Sequence, residues 1–140
     1  MSSLNYRPIT PVKIYYNDRT YIKGEGYTEG WFLFSVPFSD TLQTDTFYGE
    51  WINAHGSDTY EAESRGVKGA ATFRTAYIPA LYDVLESKRC VIFRGGNADF
   101  LPDGSLDFKS KNAFELYGMP DNVREQGRIV EISLKRYEGK

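Results

Sequence analysis

The alternation of apolar and polar positions is cleanest in RIVEISLKRY (128–137), where Val130, Ile132 and Leu134 share one side and Glu131, Ser133 and Lys135 the other. A period of two marks a strand with one buried face. VKGAATFRT (67–75) repeats it, with Val67, Ala71 and Phe73 opposing Lys68, Thr72 and Arg74. FYGEWIN (47–53) alternates more loosely and sets Phe47, Gly49, Trp51 and Asn53 on one side. KRCVIFR (88–94) is apolar on both faces at its centre, which predicts an interior strand or one that closes a barrel. VKIYY (12–16) and TYIK (20–23) flank Asn17-Asp18-Arg19 and predict a hairpin that turns there. WFLFSV (31–36), limited by Pro37, and AFELYGM (113–119) are further strands. IPALYDVLE (78–86) allows one short helix with Pro79 near its start.

Between these elements, residues 38–46, the polar HGSDTYEAESRG (55–66) and the stretch opened by Gly95-Gly96 and running through 111 read as loops. Six or seven short strands with one helical turn predict a mainly β fold, an antiparallel barrel or sandwich. The expected core includes Trp51, Phe73, Val91, Phe93, Leu116, Val130, Ile132 and Leu134. A chain of 140 residues is the size of one domain and long enough for a core that needs no covalent staples.

Composition sharpens this in two places. Tyr (11) and Phe (9) dominate the aromatics, which favours strands and, for Tyr, contact surfaces that are apolar along the ring and polar at the tip. The net charge of −2 argues against nucleic-acid binding driven by bulk charge, although a local basic patch remains compatible with it. A lone Cys90 forms no internal disulfide and suits a reducing compartment. MSSLNYRPIT has no apolar signal region, and no stretch reaches the roughly 20 apolar residues of a membrane span, so a soluble chain made in the cytoplasm is expected.

The candidate chemistry is sparse. His55 is the only histidine and would have to serve any triad or zinc site, yet it sits beside the loop formers Gly56, Ser57 and Asp58. Cys90, inside an apolar strand, reads as a small buried hydrophobe. Asp99, Asp103 and Asp107 lie four apart around Pro102-Asp103-Gly104, which is turn chemistry rather than the alternating ligands and closing Glu of a calcium loop. Gly24, Gly26 and Gly30 are followed by no Lys-Ser/Thr and open no helix, so they form no phosphate cradle. Glu61 and Glu63 read as a solvated charge run. No enzyme, cofactor or metal site is expected.

From Phe47 onward the order of pieces, GEWINAHGSDTYEAES, ATFRTAYIPAL, KRCVIFRGG and AFELYGMPDNVREQGRIVEISLKR, resembles the phage head–tail joining family, the head-closure or stopper proteins. The pieces cover about two-thirds of the chain in sequence order, each short, so the likeness lies in the ordered set. The departures are a long aromatic stretch before residue 47 and the insertion at 97–111. The resemblance implies a small antiparallel β-barrel with one short helical turn and long loops, at 47–140, preceded by an N-terminal arm and hairpin extension at 1–46. It implies a structural virion protein of a tailed phage, made in the host cytoplasm and placed at the neck between capsid and tail. There it would form a homo-oligomeric ring, a dodecamer, beneath the portal and adaptor, close the DNA channel after packaging, touch DNA in passing, and dock the tail or tail-terminator protein. Within that reading, the polar loop with His55, Asp58, Tyr60, Glu61, Glu63 and Arg65 is the candidate channel or gating element. Tyr48, Tyr77, Tyr82, Tyr117 and Tyr137 are the candidate subunit contacts. The competing expectation is a different small β-barrel interaction protein of a phage, such as a tail-terminator-like subunit or a host-directed inhibitor.

Overall fold

The computed structural model describes residues 8–37, 39–53, 70–122 and 127–137. Strand accounts for 53% of the described residues, which makes the fold mainly β. The strands are β1 (Thr10–Ile22), β2 (Gly26–Leu33), β3 (Val36–Pro37), β4 (Gln43–Thr44), β5 (Phe47–Asn53), β6 (Ala71–Ala76), β7 (Cys90–Arg94), β8 (Ala113–Leu116), β9 (Asp121–Asn122) and β10 (Ile129–Arg136). Among the described residues one helix, α1 (Pro79–Ser87), links β6 to β7, with proline in its first turn where no backbone donor is missed.

Six strands close an antiparallel barrel in the order β1-β5-β6-β10-β8-β7, and β7 returns to pair with β1. The closing ladder runs from Val12↔Arg94 to Tyr16↔Cys90. Alternation sets the inside of this barrel: Val12 and Ile14, Phe47, Phe73, Ile92, Phe114, and Val130, Ile132 and Leu134 form one cluster, joined by Leu81 and Leu85 of α1. In a barrel this narrow, side chains fill the interior. Gly49 makes room for one of them. A Cβ there would press on the Arg74 carbonyl oxygen and stand 2.5 Å from the Phe73 ring.

A second, smaller cluster lies on the outer face of the barrel. Val91 and Phe93 point outward from β7 and are covered by Ala98, Leu106 and Ala113, with Tyr15, Trp31, Phe108 and Tyr137 packed around them. KRCVIFR is apolar on both faces for this reason: one side lines the barrel, the other sits beneath the 97–112 segment. Two expected core residues, Trp51 and Leu116, are only partly buried.

Three boundaries differ from the sequence reading. Asn17-Asp18-Arg19 is not a turn but the middle of the 13-residue β1. The chain reverses at Lys23-Gly24-Glu25, where Gly24 (φ 87°) and Gly26 (φ 84°) supply the left-handed backbone that tight turns need. Residues before 47 are not only an arm and extension, because β1 supplies one stave of the barrel and Val12 and Ile14 are fully buried.

Candidate interaction surface

β1 is longer than the barrel requires. Its residues 10–12 pair with β5 and 12–16 with β7; residues 15–22 pair with β2. Past Asn17, whose N–H reaches the Arg89 carbonyl at 2.9 Å, β1 has β2 alone as neighbour. The result is a two-stranded hairpin that projects about 15 Å, five residues at strand rise, beyond the end of the barrel where α1 leads into β7.

The hairpin's base is held firmly. Trp31 packs on Phe108 (5.1 Å between ring centroids) and on Tyr137 (6.5 Å), and Tyr16 meets Phe32 at 5.8 Å. Burial pushes the Tyr15 and Tyr137 hydroxyls above the ordinary tyrosine range, as expected of rings wedged into a cluster. Lys88 donates to Asp18 at 3.0 Å, and this hydrogen bond holds the Asp18 carboxyl below the usual carboxylate range. Beyond the base the side chains stand in solvent. Arg19 faces Glu29 at 3.8 Å, and Tyr21 lies edge-on to Tyr27 at 5.3 Å with 61% and 69% of their surfaces exposed.

Of the tyrosines singled out from sequence, Tyr48 and Tyr117 are exposed. Tyr77 and Tyr82 pack against each other, with Tyr82 donating to the Pro120 carbonyl at 3.3 Å. Tyr137 stacks on Phe108 and carries the Arg89 guanidinium over its ring. Those three are half-buried, whereas Tyr21 and Tyr27, which the sequence reading does not single out, are largely exposed at the hairpin tip. The signal that could have found them is Gly24-Glu25-Gly26, flanked by TYI and YTE. His55, Asp58, Tyr60, Glu61, Glu63 and Arg65 lie outside the described residues.

Cys90 is buried beside the Val84 carbonyl, and desolvation pushes its thiol up to about 12, so it stays protonated and is no nucleophile. A depression of 190 Å³ next to it is lined by Leu85, Lys88, Arg89, Glu115, Leu116 and Gly118. The three aspartates of the 97–111 insertion are spent on local turns: Asp103 accepts from Ser105, Asp107 from the Lys109 N–H, and Asp99 from Ser110 and Asn112. Among the described residues no three His, Cys, Asp or Glu side chains gather as metal ligands, and no helix is long and apolar enough to cross a membrane.

Comparison with protein-family models, with curated proteins and with solved structures finds no match to this chain in any of the three.

Proposed function

We propose that this chain is a non-catalytic assembly protein that forms a homo-oligomeric ring at the neck of a tailed-phage particle, beneath the portal and adaptor. The observation that carries the assembly reading is the hairpin. A barrel filled by its own side chains has a second element that adds little to its core and sets an aromatic pair in solvent. Exposed tyrosines, with few rotatable bonds, give a large contact area at low entropic cost, as subunit interfaces favour. Support for the neck position comes from the ordered motifs between residues 47 and 137, which resemble those of head-closure proteins.

Two measurements test this. Light scattering of the full-length protein, alone and with a portal–adaptor complex, is expected to show a ring-sized species at least in the presence of the complex. Peptide mass analysis of purified virions is expected to find the chain in multiple copies. A protein that stays monomeric in both mixtures and is absent from virions overturns the proposal.

A further inference from the structure

We infer that neighbouring copies join hairpin to hairpin, head to tail, with the free edge of β2 in one copy pairing with residues 19–21 of β1 in the next. This rests on the assembly reading above and adds the contact itself.

The barrel closes on itself, so its staves offer no edge, and the hairpin offers two. Among the described residues nothing pairs with the outer edge of β2. Which backbone groups are free follows from alternation. Phe34 N–H bonds to the Ile14 carbonyl and Glu25 N–H to the Ile22 carbonyl, so within the hairpin the even-numbered residues exchange hydrogen bonds. Asn17 N–H points the other way, to Arg89. Arg19 and Tyr21 share its direction and have left β7 behind; the Arg19 N–H turns to the Asp18 carboxylate at 2.8 Å, and the Arg19 C=O with the Tyr21 N–H and C=O have no partner among the described residues. On β2 the corresponding groups are those of Tyr27, Glu29, Trp31 and Leu33. The segment 18–33 contains no proline, the usual guard of a free edge.

Charge selects the partner. With Asp18 engaged by Lys88, β1 carries Arg19 and β2 carries Glu29, an exposed pair 3.8 Å apart within each hairpin, and the turn adds Lys23 after β1 and Glu25 before β2. Two β2 edges meeting about a two-fold axis would bring carboxylates together, and two β1 edges would bring cations together. β2 against the next copy's β1 joins unlike charges. With no offset along the strands, Glu29 falls opposite the neighbour's Arg19 and Tyr27 opposite its Tyr21, which repeats the pairing inside each hairpin. The occupant is therefore a second copy of this chain. A contact between unlike surfaces propagates, closing into a ring when the rotation allows.

In that register Thr28 and the neighbour's Thr20 form a pair without mutual hydrogen bonds, the closer kind, within reach of a disulfide. Full-length Thr20→Cys and Thr28→Cys chains, mixed and oxidised, are expected to give a cross-linked heterodimer, while neither variant cross-links alone. Cys90 is buried and protonated and does not compete. In parallel, Arg19→Glu and Glu29→Arg chains are expected to assemble at least tenfold more weakly when separate and to recover on mixing. Charges acting only inside one hairpin would not recover. A cross-link from either cysteine variant alone overturns the inference, as does a mixture that assembles without cross-linking or charge variants that mixing fails to rescue. Cross-linking lost together with assembly, in a protein monomeric with and without the portal–adaptor complex, overturns the assembly reading as well.

Discussion

Gly49 shows how one absent side chain sets the packing of a barrel. It stands opposite Thr75 in the β5–β6 ladder and is buried, and the Phe73 ring fills the space a side chain would take. Gly49→Ala puts a methyl group against backbone on one side and an aromatic ring on the other, and neither can swing clear. Overpacking of this kind costs about 1–3 kcal/mol; a urea midpoint for Gly49→Ala equal to the parent's would show that β5 can move aside. Asp45 illustrates a weaker effect. Lys13 donates to its carboxylate at 2.7 Å and holds it below the usual range. A carboxyl with a lowered folded pKa contributes stability that is fully present above its unfolded value, about 3.9, and is lost as pH falls through the folded one. Asp45→Asn should therefore be less stable than the parent at neutral pH, by a small margin for so exposed a pair, and the two should converge in strong acid. Urea titrations at neutral pH and in acid would check both the gap and its closure.

At the scale of elements, alternation was a good guide wherever a strand has one wet face. β10 is the clearest case: Val130, Ile132 and Leu134 are all fully buried while the residues between them are not. Ile132→Ala, deleting most of a side chain with no solvent access, should cost about 2–5 kcal/mol in chemical unfolding; a loss under about half of one kcal/mol would mean that the barrel collapses onto the gap. The hairpin was misjudged for a physical reason. Asn17-Asp18-Arg19 has turn composition, but turn composition only permits a reversal, and the Trp31, Phe32 and Phe34 side chains need β1 to continue so that they can pack on Tyr16 and the outer cluster. The same turn position hides one exposed pair. A turn at 17–19 would leave Tyr21 and Tyr27 unrelated, whereas the reversal at 23–25 makes them a cross-strand pair; Tyr77, Tyr82 and Tyr137 are half-buried in ring contacts within the fold. Replacing Arg19–Glu29 by a two-residue Asn-Gly turn, which joins the paired Asp18 and Gly30, tests this division of labour. The cut removes exposed residues beyond the anchored base, so the melting temperature should fall by no more than a few degrees while assembly is lost. A large fall would make the hairpin part of the barrel's stability.

The whole molecule divides into a part that holds itself together and a part that lacks partners, and amide exchange should read that division directly. In the barrel every stave has a paired neighbour on both sides and the interior side chains are buried, so opening its amides requires global unfolding. Cys90, buried in the same cluster, should resist thiol reagents until that event, and its labelling rate should track the slowest barrel amides. Among the described residues the hairpin beyond Asp18 has one ladder and no strand on either edge, so it should exchange orders of magnitude faster. Its amides should also differ by parity. Those of Thr20, Ile22, Thr28 and Gly30 are tied across the hairpin and that of Arg19 donates to Asp18, while those of Tyr21, Tyr27 and Glu29 face outward. In the isolated chain the outward set should exchange at nearly unprotected rates. On assembly that set, and not the barrel, should gain protection, because its donors then find carbonyls on a neighbouring copy. If protection appears instead on the outer face of β5, around Tyr48 and Ile52, the ring is built through the barrel wall and the hairpin serves another contact. If the outward amides are already protected in the monomer, the free edge is occupied from within the chain, and an assembly built on it would not form.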